Sequence, residues 1–277
     1  MRVIAHLSDL HFGTEDPAVA VALLRELDGT TQPVPALVAI SGDLTQRARH
    51  EEFLACRGFL DMLPGPYLAV PGNHDVPMYN VINRFLHPFR RYRSHITDNL
   101  SPSFIDDELQ VEGLNTAHSL TIKGGKITSA QVAAVCSRFG RRASGCKVLL
   151  AHHPFVLPAN RPKREKVDGA DEAVPDLERA GVEVILSGHL HITYSSDVGG
   201  FRSDDRKILA VHAGTCMSTR RRGENNSYNR LTLDQDSLRV LQRVWDGRRF
   251  TDGPGKDYRR EGGKWRHVEP EAAGPNL

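Results

Sequence analysis

The stretch Val70-Pro-Gly-Asn-His-Asp75 ends a short apolar run in a Pro-Gly turn and then presents three polar side chains in succession. Asn73 offers an amide oxygen, His74 an imidazole and Asp75 a carboxylate, which are groups that bind metal ions or transfer protons. Alone the stretch is weak evidence, because Asn, His and Asp are also common in turns. Its meaning depends on whether other segments of the chain end in the same way.

Four other apolar runs also end in polar residues of these types. They are Val3–Leu7, Ala36–Ile40, Lys147–Ala151 and Val182–Leu186, followed in turn by Ser8-Asp-Leu-His11, Ser41-Gly-Asp43, His152-His153 and Ser187-Gly-His-Leu-His191. Short runs that are apolar at nearly every position are typical of strands buried on both faces. Together with Tyr67–Val70, which precedes the first stretch, they predict five buried strands.

Segments with helical spacing of apolar residues alternate with these strands. Pro17–Asp28 and Gln46–Met62 separate the first three strands, and Ser129–Phe139 and Asp171–Ala180 precede the last two. This alternation predicts an α/β fold in which crossover helices cover the sheet. In such sheets ligands bind beyond the carboxyl ends of the strands, where all the polar stretches fall.

The remaining segments are less regular. Residues 78–110 suggest an Arg-rich helical piece, and Ile105–Leu114 and Ser119–Ile122 suggest strands. Residues 158–171 suggest a mobile loop. Its basic residues, 161–166, are either solvated or part of a lid over the substrate. Strands without intervening helices are predicted at Ile192–Val198, Lys207–Val211, Tyr228–Leu233 and Leu238–Val244, in a second antiparallel sheet or a sheet extension. We expect one domain at residues 1–245 and a Gly-, Arg- and Pro-rich, partly disordered tail at 246–277.

Composition narrows the class of protein. The 277 residues are 39% hydrophobic and 25% charged, as in an ordinary globular protein, and the net charge of +2 gives no basic field for nucleic acid. The four scattered cysteines form no zinc-ribbon spacing and imply no disulfide framework. Residues 1–9 lack the apolar region of a signal peptide. The sequence contains no run of about 18 apolar residues, so no membrane-spanning helix is expected. We therefore expect a cytoplasmic protein.

The five strand ends together offer two carboxylates, one amide oxygen and up to five imidazoles. Manganese, iron, zinc and cobalt ions accept such mixed ligation. Two ions about 3.5–4 Å apart polarise a phosphoryl group and generate hydroxide at neutral pH. Asp43 is the most natural carboxylate to bridge two such ions.

The ordered set of motifs resembles the calcineurin-like metallophosphoesterase superfamily. The family pattern DxH, GD, GNH(D/E), a lone His after a strand and GHxH stands here in order across residues 9–191. The resemblance implies a four-layer α/β/β/α sandwich of two mixed β-sheets with flanking helices, and a binuclear metal centre at the strand ends. No ligand position departs from the family pattern.

The resemblance also implies a role for each residue of these motifs. One ion would be held by Asp9, His11, Asp43 and His191, and the other by Asp43, Asn73, His152 and His189. His74 would lie over the scissile phosphate, where it would stabilise charge or protonate the leaving alkoxide, and Asp75 would orient His74. The chain would then be a hydrolase in which metal-bound hydroxide attacks phosphorus.

Within the superfamily, residues 213–229 look like the branch that contains cyclic-nucleotide and glycerophosphodiester phosphodiesterases. One of Arg220, Arg221 and Arg222 would clamp the substrate phosphate, although a solvated loop is an equal interpretation. His118 could line the site or serve only in a turn. These residues lead us to expect a small phosphodiester as the substrate.

Other interpretations of the sequence remain open. His6 is expected to hydrogen-bond locally, and His152 is favoured over His153 as a ligand because strand neighbours face opposite ways. The enzyme could instead be a phosphomonoesterase or a pyrophosphatase acting on a nucleotide-sugar lipid precursor. A non-catalytic scaffold is expected to have lost ligands, and a nuclease is disfavoured by the near-neutral charge. A homodimer could form through residues 78–110 or the tail.

Overall fold

The computed structural model describes residues 1–78, 81–120, 124–141, 145–157, 162–197 and 208–268. Within them the strands are β1 (Arg2–Leu7), β2 (Leu37–Ile40), β3 (Tyr67–Ala69), β4 (Ser103–Ile105), β5 (Leu109–Leu114), β6 (Cys146–Ala151), β7 (Val184–Ser187), β8 (Tyr194–Asp197), β9 (Leu209–His212), β10 (Ser227–Leu233), β11 (Ser237–Trp245), β12 (Phe250–Glu261) and β13 (Lys264–Val268). The helices are α1 (Pro17–Leu27), α2 (His50–Asp61), α3 (Val81–Leu86), α4 (Arg90–His95), α5 (Ser129–Phe139) and α6 (Ala170–Arg179).

The strands form two mixed sheets. The seven-stranded sheet has the order β13-β12-β11-β10-β1-β2-β3, in which β1, β2 and β3 are parallel and the others antiparallel. The six-stranded sheet has the order β4-β5-β6-β7-β9-β8, with a parallel centre and an antiparallel strand at each edge. The late strands therefore extend both sheets instead of forming a separate one.

Three apolar clusters show how the layers pack. Leu23 of α1 and Phe53 of α2 belong to a cluster that covers the outer face of the seven-stranded sheet. Ile4 and Val148 belong to a second cluster between the two sheets, and Leu177 of α6 to a third beneath the six-stranded sheet. Both faces of each sheet are thus buried at the centre, which explains the continuous apolar runs. The structure confirms the four-layer α/β/β/α sandwich.

Part of the segment expected to be a partly disordered tail forms two strands of the seven-stranded sheet. Strand β12 pairs with β11, β13 pairs with β12, and the two strands bury Phe250, Tyr258 and Trp265. Gly253 lies where the β11–β12 register shifts, and a Cβ there would come within 2.6 Å of a Val244 methyl carbon. The glycines thus serve a bulge in a sheet, which composition alone cannot distinguish from disorder. Residues 269–277 lie outside the described residues.

Several smaller expectations are also corrected. The helical piece in residues 78–110 is two short helices, α3 and α4, and the strand expected at Ile105–Leu114 is the hairpin of β4 and β5. Residues 119–120 form a turn, whereas 121–123, 158–161 and 198–207 lie outside the described residues. Helix α2 begins at His50 instead of Gln46, because residues 43–49 form a loop. No helix within the described residues has the length and apolarity to cross a membrane.

Candidate metal centre

The seven predicted ligands lie directly after five strands that point to one edge of the sandwich. Strands β1, β2 and β3 are followed by Asp9 and His11, Asp43, and Asn73, whereas β6 and β7 are followed by His152, and by His189 and His191. All except His189, which is partly exposed, are buried. The topology therefore brings together residues as far apart in the chain as Asp9 and His191.

The backbone of these loops adopts an unusual conformation. Only six non-glycine residues in the described ranges have a positive φ, and five of them are predicted ligands: Asp9 (52°), His11 (47°), Asp43 (52°), His189 (70°) and His191 (56°). A side chain in this left-handed region costs about 1–3 kcal/mol and persists only where its surroundings enforce it. Such a concentration of strain is characteristic of a functional site.

Two glycines allow the ligand loops to touch. A Cβ on Gly188 would overlap Ser8 Oγ and would come within 2.6 Å of Asp9 Oδ2, and a Cβ on Gly72 would overlap Asp43 Oδ1 and its backbone nitrogen. Any side chain at either position would push apart loops from different strands. The glycines of the GNH and GHxH motifs thus hold the two carboxylates close to neighbouring backbone.

The first group of donor atoms is formed by Asp9, His11, Asp43 and His191. The Nε2 atom of His11 lies 3.6 Å from Asp9 Oδ1, 3.6 Å from Asp43 Oδ2 and 3.3 Å from His191 Nε2. The His191 Nε2 atom lies 3.3 Å from Asp9 Oδ1. One donor atom from each residue lies within 4.8 Å of all the others.

The second group lies on the other side of Asp43. Its Oδ1 atom lies 3.3 Å from His152 Nε2. The Oδ1 atom of Asn73 lies 3.1 Å from both His152 Nε2 and His189 Nδ1. Because Oδ2 of Asp43 faces the first group and Oδ1 the second, this one carboxylate lies between the two groups.

These residues fit two bound ions. Donor atoms about 2.0–2.2 Å from a shared ion lie roughly 3–3.6 Å apart, as the pairs of donors named above do. Asp9 Oδ1 is buried and, within the described residues, makes no hydrogen bond. A buried carboxylate oxygen aimed at two imidazole nitrogens without a hydrogen bond is the arrangement that a cation would satisfy.

Hydrogen bonds behind the ligands fix their orientation. His152 donates from Nδ1 to the Ser41 carbonyl oxygen at 2.7 Å, and His191 donates from Nδ1 to the Arg220 carbonyl oxygen at 3.0 Å. Ser8 donates from its hydroxyl group to Asp9 Oδ2 at 2.7 Å. With Nδ1–H committed, each of the two rings turns its Nε2 atom to the centre, as metal-binding histidines do.

The charges in the centre stabilise one another. Burial raises the pKa of Asp9, but His191 and His11 outweigh it, so that this pKa lies below its ordinary value. Burial also raises the pKa of Asp43, but His152 and His74 lower it by more, so that this pKa too lies below its ordinary value. Burial lowers the pKa of His152, but Asp43 reverses this and raises it to about 9. Both carboxylates are therefore ionised, as cation binding requires.

His74 lies next to the first group of donor atoms, but its two ring nitrogens form hydrogen bonds outside that group. Its ring centroid is 4.8 Å from that of His11, its Nδ1 donates to the Gln46 carbonyl oxygen at 2.8 Å, and its Nε2 accepts from Arg220 Nη1 at 3.2 Å. Arg220 Nη1 also donates to Gln46 Oε1 at 3.2 Å. Gln46 and Arg220 thus orient the ring from both of its nitrogens.

The expected contact between Asp75 and the His74 ring is corrected. Asp75 accepts hydrogen bonds from the backbone N–H groups of Leu44, Thr45 and Gly72 and from the Thr45 hydroxyl group. The two residues are neighbours in a short 3-10 turn, Asn73–Asp75, and their side chains diverge. Burial and Asp43 raise the pKa of Asp75 to about 6. Asp75 thus links the loop after β2 to the loop after β3 by hydrogen bonds, and Gln46, not Asp75, orients the His74 ring.

The three residues suggested for substrate binding differ in position. The guanidinium group of Arg220 reaches Nε2 of His74 at the edge of the first group. Arg222 is exposed two residues further along the loop, and His118 accepts a hydrogen bond from the Leu120 N–H within its own turn. Arg220 is therefore the strongest candidate of the three for a substrate contact.

Sequence reasoning missed the residues that act through their backbone or lie just outside a motif. Gln46 falls within the apolar periodicity that predicts a helix from that residue, so nothing marks it as part of the site. Ser41 and Ser8 flank motif residues, and only the fold shows that they hold His152 and Asp9. His6 lies 3.0 Å from the Ser41 hydroxyl group, which agrees with the local role expected for it.

Comparison with known proteins agrees with this geometry. The family model of calcineurin-like phosphoesterases matches residues 2–193. The glycerophosphodiester phosphodiesterase GpdQ of Enterobacter lignolyticus is 33% identical over 82 residues, or 26% of this chain and only 29% of that protein. A probable cyclic nucleotide phosphodiesterase of Synechococcus is 23% identical over 206 residues, which cover 68% of this chain and 72% of that protein.

Among solved structures, GAP50, described as the anchor in the inner membrane complex of Plasmodium, superposes with a TM-score of 0.54. The superposition covers 89% of this chain and 85% of GAP50 at 10% sequence identity, which shows a shared fold and no more. The family match, in contrast, spans more than half of the chain and contains every predicted ligand. The chain therefore belongs to the calcineurin-like phosphoesterase family.

Proposed function

We propose that this protein hydrolyses small phosphodiesters with the help of two divalent or iron-type metal ions. The observation that carries the proposal is the position of Asp43, whose two carboxylate oxygens face two separate groups of donor atoms. One carboxylate placed in this way can bridge two ions. Manganese, iron, zinc and cobalt all suit the mixed carboxylate and imidazole ligands.

The residues would divide into two sets of ligands. Asp9, His11, Asp43 and His191 would hold one ion, and Asp43, Asn73, His152 and His189 the other. When bound, the ions would polarise the phosphoryl group and lower the pKa of a coordinated water molecule. The remaining chemistry would depend on groups of the protein itself.

His74 is proposed to protonate the leaving alkoxide. Because its Nδ1–H is committed to the Gln46 carbonyl oxygen, Nε2 is the atom that would carry the transferred proton. This Nε2 atom faces the guanidinium group of Arg220. The hydrogen bond to Gln46 would keep the ring in place during the transfer.

Arg220 is proposed to bind the free oxygens of the phosphodiester. Its guanidinium group now donates to the neutral acceptors His74 Nε2 and Gln46 Oε1. An anionic phosphoryl oxygen is a stronger acceptor than either of them, because it carries a full negative charge and a phosphate can accept two guanidinium N–H groups in parallel. Transfer of the guanidinium group to the substrate would also release Nε2 of His74. Arg222 and His118 remain weaker proposals for substrate contacts.

The named relatives support a diester substrate. Matches to a glycerophosphodiester phosphodiesterase and to a probable cyclic nucleotide phosphodiesterase favour these two classes of substrate. A phosphomonoesterase would use the same ligands, so the ligands do not decide between the two activities. A direct comparison of substrates is needed.

A second candidate is a pyrophosphatase that acts on a nucleotide-sugar lipid precursor. Such an enzyme needs an apolar surface near the centre for acyl chains. Helix α3 follows the Asn73–Asp75 turn closely and exposes Ile82, Phe85 and Leu86, with 72%, 52% and 67% of their surface accessible. This surface is the one observation that favours the second candidate.

The test combines metal analysis with two model substrates. We expect about two ions per chain by elemental analysis, and faster hydrolysis of bis(p-nitrophenyl) phosphate than of p-nitrophenyl phosphate. A preference for the monoester would shift the assignment to a phosphatase, and activity only on an acylated nucleotide-sugar diphosphate would favour the second candidate. Absence of both metal and turnover after addition of manganese would support a scaffold and contradict the proposal.

A further inference from the structure

His153 is a buried imidazole that belongs to neither of the two ligand sets proposed above. It follows His152 directly and is inaccessible to solvent. In the part of the chain that the structure describes, its Nε2 atom has no hydrogen-bond partner. A buried polar atom without a partner has lost its hydration and gained nothing in exchange. A ligand at Nε2 would remove this cost.

The ring of His153 lies beside the second group of donor atoms. Its centroid is 4.7 Å from that of His189 and 4.8 Å from that of His152. One ring nitrogen from each of the three residues lies within 4.8 Å of the other two. His152 and His189 are the two imidazoles proposed to hold the second ion. His153 therefore brings a third imidazole nitrogen close to theirs.

Two contacts hold the His153 ring in this orientation. Thr116 Oγ1 accepts the backbone N–H of His153 at 3.1 Å and lies 2.8 Å from Nδ1 of the ring. Gly125 packs so closely against the ring that any Cβ there would overlap it. In the tautomer whose Nδ1–H donates to Thr116 Oγ1, Nε2 keeps its lone pair for a ligand.

The rule that strand neighbours face opposite ways does not apply to His152 and His153. Neighbouring residues face opposite ways within a strand, but β6 ends at Ala151. His152 and His153 lie in the bend that follows, and their rings are nearly perpendicular at 81°. Both can approach the second group from different sides.

We propose that His153 is a third imidazole ligand at the second metal position, beside His152 and His189. This inference rests on the two-ion function proposed above. The second position would then have three imidazole nitrogens with the oxygens of Asp43 and Asn73. The first position would have two carboxylates and two imidazoles.

The difference in ligands predicts a difference in metal preference. Imidazole-rich sites favour zinc, iron and cobalt, whereas carboxylate oxygens suit manganese. Protein loaded from an equimolar mixture of Mn²⁺ and Zn²⁺ should therefore hold zinc at the second position more tightly than manganese. Loss of His153 should reduce that preference.

The test measures metal binding instead of turnover. Wild-type protein, His153→Gln and a control, His267→Gln on the far strand β13, are stripped with a chelator and titrated with Co²⁺. The wild type and the control should bind two equivalents. His153→Gln should bind the second at least about tenfold more weakly, with a changed visible spectrum, because even indirect partners of ligands contribute about 10–100-fold in affinity.

A second pair of variants covers the case in which His153→Gln does not fold. Thr116→Val removes the hydroxyl group that orients the ring and should weaken binding of the second Co²⁺, whereas Thr116→Ser should restore it. Wild-type affinity in His153→Gln, or in Thr116→Val if the first variant does not fold, overturns the inference. Failure of the two-ion function would look different, because the wild type itself would bind fewer than two equivalents.

Discussion

The two sheets contribute different chemistry to the centre. The seven-stranded sheet supplies both carboxylates, the amide of Asn73 and the imidazoles of His11 and His74. The six-stranded sheet supplies only imidazoles, from His152, His189 and His191. Negative charge is thus concentrated on one side, and imidazole nitrogens on the other.

The two halves also orient each other. His152 belongs to the six-stranded sheet, but its ring is held by the carbonyl oxygen of Ser41 at the end of β2. In the opposite direction, the backbone N–H of His189 donates to Asp9 Oδ2 at 3.0 Å. Ions bound here would lie at the seam between the sheets. Such ions would therefore link the two layers as well as serve the proposed hydrolysis.

The largest effect is expected from Asp43→Asn compared with His189→Asn. Asp43 faces both groups of donors, so its loss should weaken both ions by more than about 100-fold, the upper range for indirect partners of ligands. His189→Asn should weaken one ion only. Metal content after gel filtration measures both. If Asp43→Asn retained two full equivalents, the bridge would be misplaced.

His74→Ala tests proton transfer separately from metal binding, because His74 belongs to the seven-stranded sheet but to neither set of metal ligands. Turnover of a dialkyl phosphate should fall about 10²–10⁴-fold, the usual contribution of a positioned acid, whereas bis(p-nitrophenyl) phosphate should be affected much less because its leaving group needs no proton. Metal content should not change. An equal loss with both substrates would contradict the acid role.

Metal removal tests the link between the sheets. Ions that bind only the folded chain stabilise it by about 2.7 kcal/mol each at a concentration 100 times the dissociation constant. Chelation should therefore lower the midpoint of thermal unfolding, and His189→Asn should show only part of that decrease. A chelated protein that unfolds at the same temperature as the loaded one would argue against a structural link at the seam.

The smallest effect is expected from Arg220→Gln. The side chain should contribute about tenfold in KM for a diester, since hydrogen bonds to charged groups contribute about 1.5–3 kcal/mol and this guanidinium group is partly exposed. The backbone carbonyl that holds His191 is unchanged, so both ions should remain. Arg222→Gln serves as the matched control on the same loop. Equal effects of the two substitutions would remove the special role of Arg220.

The strand ends and the polar residues that follow them could be predicted because both depend on local signals. Apolar runs mark the strands, and residues such as Asp9 and His191 follow them at fixed spacing. The contacts of Gln46 and Asp75 could not be predicted, because they depend on how one loop packs against another. The alternation of side chains along a strand disfavours His153, but that rule does not apply beyond Ala151. The strands of residues 250–268 were missed because their glycines and arginines resemble those of a linker.

The topology of the seven-stranded sheet also has a consequence for synthesis. Strand β1 pairs on one side with β2 and on the other with β10, where Arg2 lies opposite Leu233. All seven predicted ligands therefore leave the ribosome before β1 can find its second neighbour, and until then its open edge can pair with other chains. A fragment that stops after Thr193 carries the complete ligand set but should aggregate on expression, whereas the chain through residue 268 should not.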